Sequence, residues 1–169
     1  GCSSLTSIKL PDTLTNIGSH VFRGCKNLTN VTLPKTLKSI ESYNFRGCSN
    51  LTNIKLPDTL TKIGEAAFHE CSNLTNIIIP KSVVTIDDWA FSECNSLTAI
   101  LIPEGVTRIG ASAFRYCDNL ISVVIPESIT SIDACTFMEC IGLKNIVIPE
   151  GVTSIGDYAF HSCSSLESI

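Results

Sequence analysis

Apolar residues recur along this chain with a period of 23 residues, from end to end. Each unit reads Cys-x-x-Leu-x-x-Ile-x-(Leu/Ile)-Pro-x-x-(Leu/Val/Ile)-x-x-Ile-x-x-x-x-Phe-x-x. In the fifth unit the repeated positions are Cys94, Leu97, Ile100, Ile102, Pro103, Val106, Ile109 and Phe114. A fixed period of this size is typical of a solenoid, in which each unit forms one coil that stacks on the next. We therefore predict a single repeat domain over residues 1–169, with seven full units and a partial eighth.

The spacing of the apolar positions predicts where the strands lie. Ile100 and Ile102 are two residues apart, so they point to the same face of a strand. Stacked units would join these strands into one long parallel sheet, with about 4.8 Å between neighbours. Pro103 ends the strand because proline has no N–H group for the ladder. The next apolar pair, Val106 and Ile109, predicts a second, shorter strand on the return side of the coil.

The position after this second strand holds glycine or an acidic residue in every unit, for example Asp87 and Gly110. Both types suit the N-cap of one short helical turn, and such a turn would carry the phenylalanine of the unit. We predict single helical turns on the return side. For Asp87 a capping role is preferred to the alternative, a calcium site shared with Asp88.

Eight of the nine cysteines form a column with the 23-residue spacing. They are Cys2, Cys25, Cys48, Cys71, Cys94, Cys117, Cys140 and Cys163. Stacked neighbours would place their Cα atoms about 5 Å apart, within disulfide range, but with parallel side chains that bridge poorly. Since free cysteine packs well as a small hydrophobe, we predict a ladder of buried thiols. Cys135 lies outside the column and is expected to be the one accessible thiol.

Candidate catalytic and metal-binding residues are few. The chain has no Cys-x-x-Cys pair, and no histidine is placed beside a nucleophile in a recurring arrangement. His69 is close to Cys71, but it lies between two core positions and is expected to point outward. We assign no catalytic residue, no cofactor and no metal site.

Charge and hydropathy exclude some function classes. Residues 1–85 hold nine Lys/Arg and five Asp/Glu, a net charge of +4, whereas residues 86–169 hold three and eleven, a net charge of −8. The basic half lacks a stripe with interleaved aromatics, so nucleic acid is not an expected partner. No apolar run reaches the roughly 18–20 residues of a membrane span. The Asn-x-Thr sequons at Asn27, Asn30, Asn50 and Asn73 are interpreted as a by-product of the repeat.

One outward position of the first strand changes from polar to apolar midway along the chain. The column reads Lys9, Thr32, Lys55, Ile78, Leu101, Val124 and Val147. Four stacked aliphatic side chains would form an exposed stripe on the concave face, which solenoids use for ligands. We predict that Ile78, Leu101, Val124 and Val147 contact a protein partner, with hydrogen bonds from Asn76 and Asn145 at the rim. The alternatives are the general preference of strands for β-branched residues, cover by other parts of the parent chain, or self-association.

A second outward column contains most of the aromatic residues other than phenylalanine. It reads His20, Tyr43, Ala66, Trp89, Ser112, Cys135 and Tyr158. Tyrosine and tryptophan are common anchors of interfaces. Because the aromatic positions are irregular along the column, packing over the turn is the preferred interpretation.

The repeat resembles a known family. Leu-x-x-Ile-x-Leu matches the start of the leucine-rich repeat motif, and the segment 148–160, IPEGVTSIGDYAF, is similar to the BspA-type repeats of bacterial and protist surface proteins. The resemblance implies a right-handed β/α coil and a non-enzymatic protein-binding or adhesion module, secreted or at the cell surface. It also implies host extracellular-matrix or plasma proteins as partners, and it supplies no active site.

Three other functions stay open on the sequence alone. The repeats could be a spacer or stalk that presents another domain, an intracellular scaffold, or a segment attached to a catalytic domain. The chain starts and stops inside a repeat and does not begin with methionine, so we expect it to be a segment of a longer protein.

Overall fold

The structure is a computed structural model that describes all 169 residues. The chain winds into stacked coils. Every strand pair is parallel and joins residues 23 positions apart, so equivalent residues of successive units lie in columns. All of its regular elements are strands, and none of its segments is a long apolar helix of the kind that crosses a membrane. The predicted solenoid is therefore confirmed.

The residues before each proline form the first strand ladder. Its three-residue strands are β1 (Ser7–Lys9), β2 (Asn30–Thr32), β6 (Ala99–Leu101), β8 (Ser122–Val124) and β10 (Asn145–Val147). β1 pairs with β2, and β6, β8 and β10 form a second sheet. Between these two sheets there is only an isolated bridge from Asn53 to Asn76. The prediction of one continuous sheet is wrong, because such short strands depend on very few hydrogen bonds, whereas the apolar core beneath them continues without a break.

The predicted second strand is present on the return side. It consists of the two-residue strands β3 (Ser39–Ile40), β4 (Lys62–Ile63), β5 (Thr85–Ile86), β7 (Arg108–Ile109), β9 (Ser131–Ile132) and β11 (Ser154–Ile155). The first four of these form one parallel sheet and the last two form another. In the inner coils the isoleucine of each strand is buried, as with Ile63 and Ile86, so the ladder closes the core on this side.

The segment that carries the phenylalanine is a run of turns, and the predicted helical turn is wrong. Alternate N–H groups bond in different directions. Phe45 N–H donates to Ala67 O of the next coil (2.8 Å), whereas Arg46 N–H donates to Tyr43 O three residues back (3.2 Å). A single helical turn gains little for the residues it orders. Hydrogen bonds to the next coil satisfy the same backbone N–H groups and also hold adjacent coils together.

This run of turns requires a left-handed backbone twice in each coil. In the second coil Tyr43 has φ 61° and Gly47 has φ 71°, and the same two columns have positive φ in the other units. Twelve of these residues are not glycine. A side chain in this region costs roughly 1–2 kcal/mol, so the bonds between coils must offset a repeated local strain.

Phenylalanine and cysteine fill the core next to these turns. Seven phenylalanine rings stack from Phe22 to Phe160, with centroids 5.3–5.6 Å apart and planes within 12° of parallel. The six inner cysteines of the column are fully buried, as predicted. Each inner thiol after the first donates to the carbonyl of the phenylalanine 26 residues earlier, for example Cys94 Sγ to Phe68 O (3.2 Å). The core is therefore a set of continuous columns with no gap between units.

Glycine and acidic residues alternate strictly in the column after the second strand. It reads Gly18, Glu41, Gly64, Asp87, Gly110, Asp133 and Gly156. A Cβ atom on Gly64 would lie 2.8 Å from Ile40 O, and one on Gly156 would lie 2.5 Å from Ala134 N, so each of these glycines lies against the acidic coil that precedes it. The alternation gives the stack a period of two coils at this corner.

Gly110→Ala tests this close approach. A Cβ atom there would lie 2.6 Å from the carbonyl carbon of Asp87 and closer still to the backbone nitrogen of Asp88. We expect the substitution to lower the free energy of unfolding by about 1–3 kcal/mol, the usual cost of overpacking. Gly18→Ala is the matched control, since a Cβ at Gly18 meets nothing within 4 Å. Urea titrations that give equal effects at both sites would contradict the close packing.

Candidate functional site

The strongest candidate site is an apolar stripe, defined as Ile78, Leu101, Val124 and Val147. Alternation along β6, β8 and β10 buries the middle residue of each strand and turns the stripe residue to solvent. The exposed fractions of the four residues are 77%, 68%, 57% and 78%. Leu101, Val124 and Val147 are direct neighbours in the strand register. The structure therefore brings the four predicted side chains together on one open face.

Polar residues precede the stripe in the same column. Lys9 pairs directly with Thr32 in the β1–β2 ladder, and Lys55 occupies the next coil. All three side chains are exposed. The face is thus divided into a basic and polar part and an aliphatic part, and lysine is compatible with the fold at this column.

The two predicted rim residues differ in their contacts. Asn76 and Asn145 are both exposed. The side-chain oxygen of Asn145 accepts a hydrogen bond from Ser168 Oγ (3.0 Å). The side-chain amide of Asn76 has no hydrogen-bond partner within the chain, so it retains its full capacity for a ligand.

A groove lies beside the stripe, between the strands and the loops that follow the prolines. Its volume is about 700 Å³, and its apolar wall includes Ile78, Leu101 and Pro103. Asp58, Lys81 and Glu104 also line it. A smaller groove of about 350 Å³ shares Asp58 and Ile78 with it and continues towards Lys55. The stripe is therefore bordered on one side by a groove, which a flat strand surface would lack.

The aromatic column packs against its neighbours, as the irregular spacing predicted. The rings of His20 and Tyr43 stack with centroids 4.7 Å apart, and the Arg115 guanidinium lies 5.5 Å from the Trp89 ring centroid. Trp89 is 36% exposed and Tyr158 is 65% exposed. These residues occupy the left-handed positions of the turns, a backbone feature that the sequence pattern did not indicate.

Asp87 does not cap a helix. Its carboxylate forms ion pairs with Lys62 (2.8 Å) and Arg108 (3.2 Å) of the two flanking coils. The Asp88 carboxylate pairs with Arg108 (2.6 Å) and accepts the N–H of Ala111 (3.1 Å). The hydrogen bond from Lys62 to Asp87 raises the pKa of Lys62. The acidic pair thus joins neighbouring coils through ion pairs. It has no helix to cap, because the turn that follows it is not helical.

His69 is buried, so the expectation that it points outward is wrong. It is 9% exposed, and its Nδ1 lies 3.1 Å from Ser92 O. Its Nε2 lies 3.1 Å from Glu70 Oε1 and 3.9 Å from Glu93 Oε1. The carbonyl of Ser92 in the next coil holds the ring in place, and the linear sequence does not reveal this partner.

Three of the four sequon asparagines form a side-chain ladder between coils. Asn50 Nδ2 donates to Asn27 Oδ1 (3.3 Å), and Asn73 Nδ2 donates to Asn50 Oδ1 (3.4 Å). These amides therefore have a structural role that accounts for their spacing.

Thiol accessibility follows from position in the stack. Burial raises the pKa of the Cys48 thiol to about 12, and it also raises the pKa of the Cys71 and Cys94 thiols well above the ordinary value. Cys135 is half-buried, and Cys2 is exposed. The expectation that Cys135 alone would be accessible is therefore wrong.

Labelling of the native protein with a thiol reagent tests this order of cysteine accessibility. We expect a maleimide to modify Cys2 and Cys135, to modify the half-buried Cys163 slowly, and to leave the six inner thiols intact until denaturant is added. Peptide mapping by mass spectrometry identifies the sites, and Cys135→Ser serves as the control that removes one label. Modification of Cys71 or Cys94 in the native protein would contradict the buried ladder.

The comparisons with known proteins agree with this architecture. A family model for the BspA-type leucine-rich repeat region matches six copies in this chain, over residues 1–121 and 107–169. The matches together extend from the first residue to the last. No curated protein is significantly similar to the chain.

Three solved structures are similar to it. A leucine-rich repeat protein of T. pallidum is 34% identical, with a TM-score of 0.91 over 95% of this chain and 77% of that protein. A leucine-rich cell surface protein of Faecalibacterium prausnitzii is 27% identical, with a TM-score of 0.61 over 99% of this chain and 60% of that protein. A leucine-rich repeat protein of Eubacterium ventriosum, 23% identical, has the same fold with a TM-score of 0.79 over 94% of this chain and 43% of that protein. This chain belongs to the BspA-type leucine-rich repeat family.

Proposed function

We propose that this chain is a non-enzymatic protein-binding module of a secreted or cell-surface protein, and that it acts in adhesion through the apolar stripe. The observation that carries the proposal is the exposure of Ile78, Leu101, Val124 and Val147 in one contiguous column, between 57% and 78% each. Contiguous exposed apolar surface is uncommon on soluble proteins and usually marks an interaction site. The description of the Faecalibacterium relative as a cell surface protein supports the location.

The mechanism is a rigid platform. The stacked core holds the stripe in a fixed geometry, so little conformational entropy is lost when a partner binds. The partner contributes an apolar surface that covers the stripe and enters the groove beside Leu101 and Pro103. Asn76 and Asn145 supply polar contacts at the rim, and the free amide of Asn76 contributes more than the partly engaged Asn145. The partner class is a host extracellular-matrix or plasma protein.

The test is a binding screen with two matched variants. The stripe variant changes the four stripe residues to lysine, which Lys9 and Lys55 show to be compatible with that column. The control variant adds the same charge at exposed residues outside the stripe and its two grooves: Val84→Lys, Thr130→Lys, Ile141→Lys and Ser164→Lys. Lysine already occurs in both of the repeat columns that these four residues occupy. Lys38 is in the column of Val84 and Thr130, and Lys26 is in the column of Ile141 and Ser164.

Each protein is applied to an array of extracellular-matrix, plasma and cell-surface proteins. We expect saturable binding by the parent chain and the control variant, and loss of binding by the stripe variant. Equal binding by all three would show that the stripe is not the site. No binding by the folded parent chain would favour a spacer or stalk, and a stripe-dependent dimer in light scattering would favour self-association.

A further inference from the structure

A second candidate site lies at the corner of the third and fourth coils, away from the apolar stripe. It consists of His69, Glu70 and Glu93. Their ligand atoms, one imidazole nitrogen and two carboxylate oxygens, all lie within 4.8 Å of one another. Nε2 of His69 is 3.1 Å from Glu70 Oε1 and 3.9 Å from Glu93 Oε1.

The contact at Nδ1 of His69 leaves Nε2 to face the two carboxylates. The only partner near Nδ1 is a carbonyl oxygen, Ser92 O at 3.1 Å, so Nδ1 carries the proton and donates it. Nε2 therefore faces two carboxylates, and a proton or a metal ion on this nitrogen would relieve the repulsion between their lone pairs. A hydrogen bond from the other ring nitrogen to a backbone carbonyl is also the arrangement that orients metal-binding histidines. Because His69 is 9% exposed, the ring is held in this orientation.

The two glutamates add to the demand for positive charge. Glu70 and Glu93 occupy the same column in adjacent coils, and both side chains are 43% exposed. Arg46 offsets part of their charge, since its guanidinium lies 3.0 Å from Glu70 Oε1. Apart from His69, the charges of Glu70, Glu93 and Arg46 sum to −1, and Lys26 lines the adjoining cavity. A carboxylate has about four acceptor positions, so Glu70 can hold Arg46 and a metal at once.

The space beside the cluster suits an ion with bound water. Glu70 and Glu93 line an open cavity of about 310 Å³, together with Lys26, Gly47 and Asn95. Around tetrahedral zinc, ligand atoms at the usual bond lengths are about 3.3 Å apart. The observed separations bracket this value, and small rotations of the two half-exposed glutamates would close the difference.

We propose that His69 Nε2, Glu70 and Glu93 bind one Zn²⁺ ion, with the remaining coordination position open to the cavity. One imidazole and two carboxylates match the ligand preference of zinc better than that of calcium or magnesium, which favour oxygen ligands alone.

The experiment is zinc titration by calorimetry at pH 7.5 on chelator-treated protein. Accessible thiols are first alkylated under native conditions, because Cys2 and Cys135 would otherwise bind zinc themselves. The test variants are His69→Gln and Glu93→Gln. The controls are His161→Gln and Glu139→Gln, which change the same residue types outside the cluster. Thermal unfolding establishes that each variant is folded before titration.

We expect one equivalent of zinc in the parent chain, and an affinity at least about tenfold weaker in both test variants. The two controls should bind as the parent does. The His69 Nε2 resonance should shift on zinc addition, and calcium should not compete. No stoichiometric binding, or equal binding by parent and test variants, would overturn the proposal. These outcomes are independent of partner binding at the stripe.

Discussion

Raising the pH above about 9 should unfold this chain within about two or three pH units. Burial holds the pKa of Cys48 at about 12, and it raises the pKa of Cys71, Cys94, Cys117 and Cys140 above the ordinary value as well. In the unfolded chain these thiols ionise near pH 8.5–9. The native state is then the state that retains protons, so its stability is complete below pH 8 and falls as the pH rises towards the folded pKa values.

The expected loss of folding stability with rising pH is large because five thiols contribute to it. Each one withholds a proton that the unfolded chain releases, so it removes roughly 1 kcal/mol of stability per pH unit. Five such groups remove several kcal/mol per unit, which exceeds a typical stability of about 5–15 kcal/mol within two or three units. Urea titrations from pH 7 to 11, with a reductant present, measure the slope.

A single substitution provides the control for this slope. Cys94→Ala should make the dependence on pH shallower by about 1 kcal/mol per unit, whatever it does to the stability at pH 7. A parent chain whose stability is unchanged between pH 8 and pH 11 would contradict a ladder of buried, protonated thiols.

Phe91→Ala should lower the free energy of unfolding by about 3–5 kcal/mol, the usual cost of a buried aromatic truncation. Phe91 is fully buried, and its ring stacks on Phe68 (5.4 Å) and Phe114 (5.5 Å). The cavity would lie in the middle of the stack, where each coil depends on both neighbours. The unfolding transition should therefore also become broader, as the two halves lose their coupling.

Phe160→Ala is the comparison for Phe91→Ala. Phe160 is half-buried, and its ring stacks only on Phe137 (5.6 Å). Phe160→Ala should lower the free energy of unfolding clearly less than Phe91→Ala does, and it should leave the unfolding transition sharp. Equal costs for the two substitutions, measured by urea titration followed by circular dichroism, would show that the aromatic column does not act as a continuous core.

The parts of the fold that repeat in the sequence could be predicted from it. The strand face of Ile100 and Ile102, the second strand at Ile109 and the burial of Cys94 all follow from alternation and a fixed period. The exposure of Leu101 follows from the same alternation. Residues that occupy one column have one environment, so each assignment was supported by several coils at once.

The turn region could not be predicted in the same way. Its backbone is set by bonds between coils, such as Phe45 N–H to Ala67 O, and by left-handed residues that are as varied as Tyr43 and Trp89. A column of varied residues carries no local signal for positive φ. His69 was misplaced for a related reason, since its partner Ser92 O belongs to the next coil.

The role of the apolar stripe in binding is tested by the dissociation constants of one partner for three proteins. These are the parent chain, the four-lysine stripe variant and the four-lysine control variant, measured in one buffer by surface plasmon resonance. We expect the stripe variant to bind at least about 100-fold more weakly, because lysines replace the buried apolar centre of the interface. The control variant should remain within about threefold of the parent. A stripe variant that binds as tightly as the control would contradict the assignment of Ile78, Leu101, Val124 and Val147 as the binding surface.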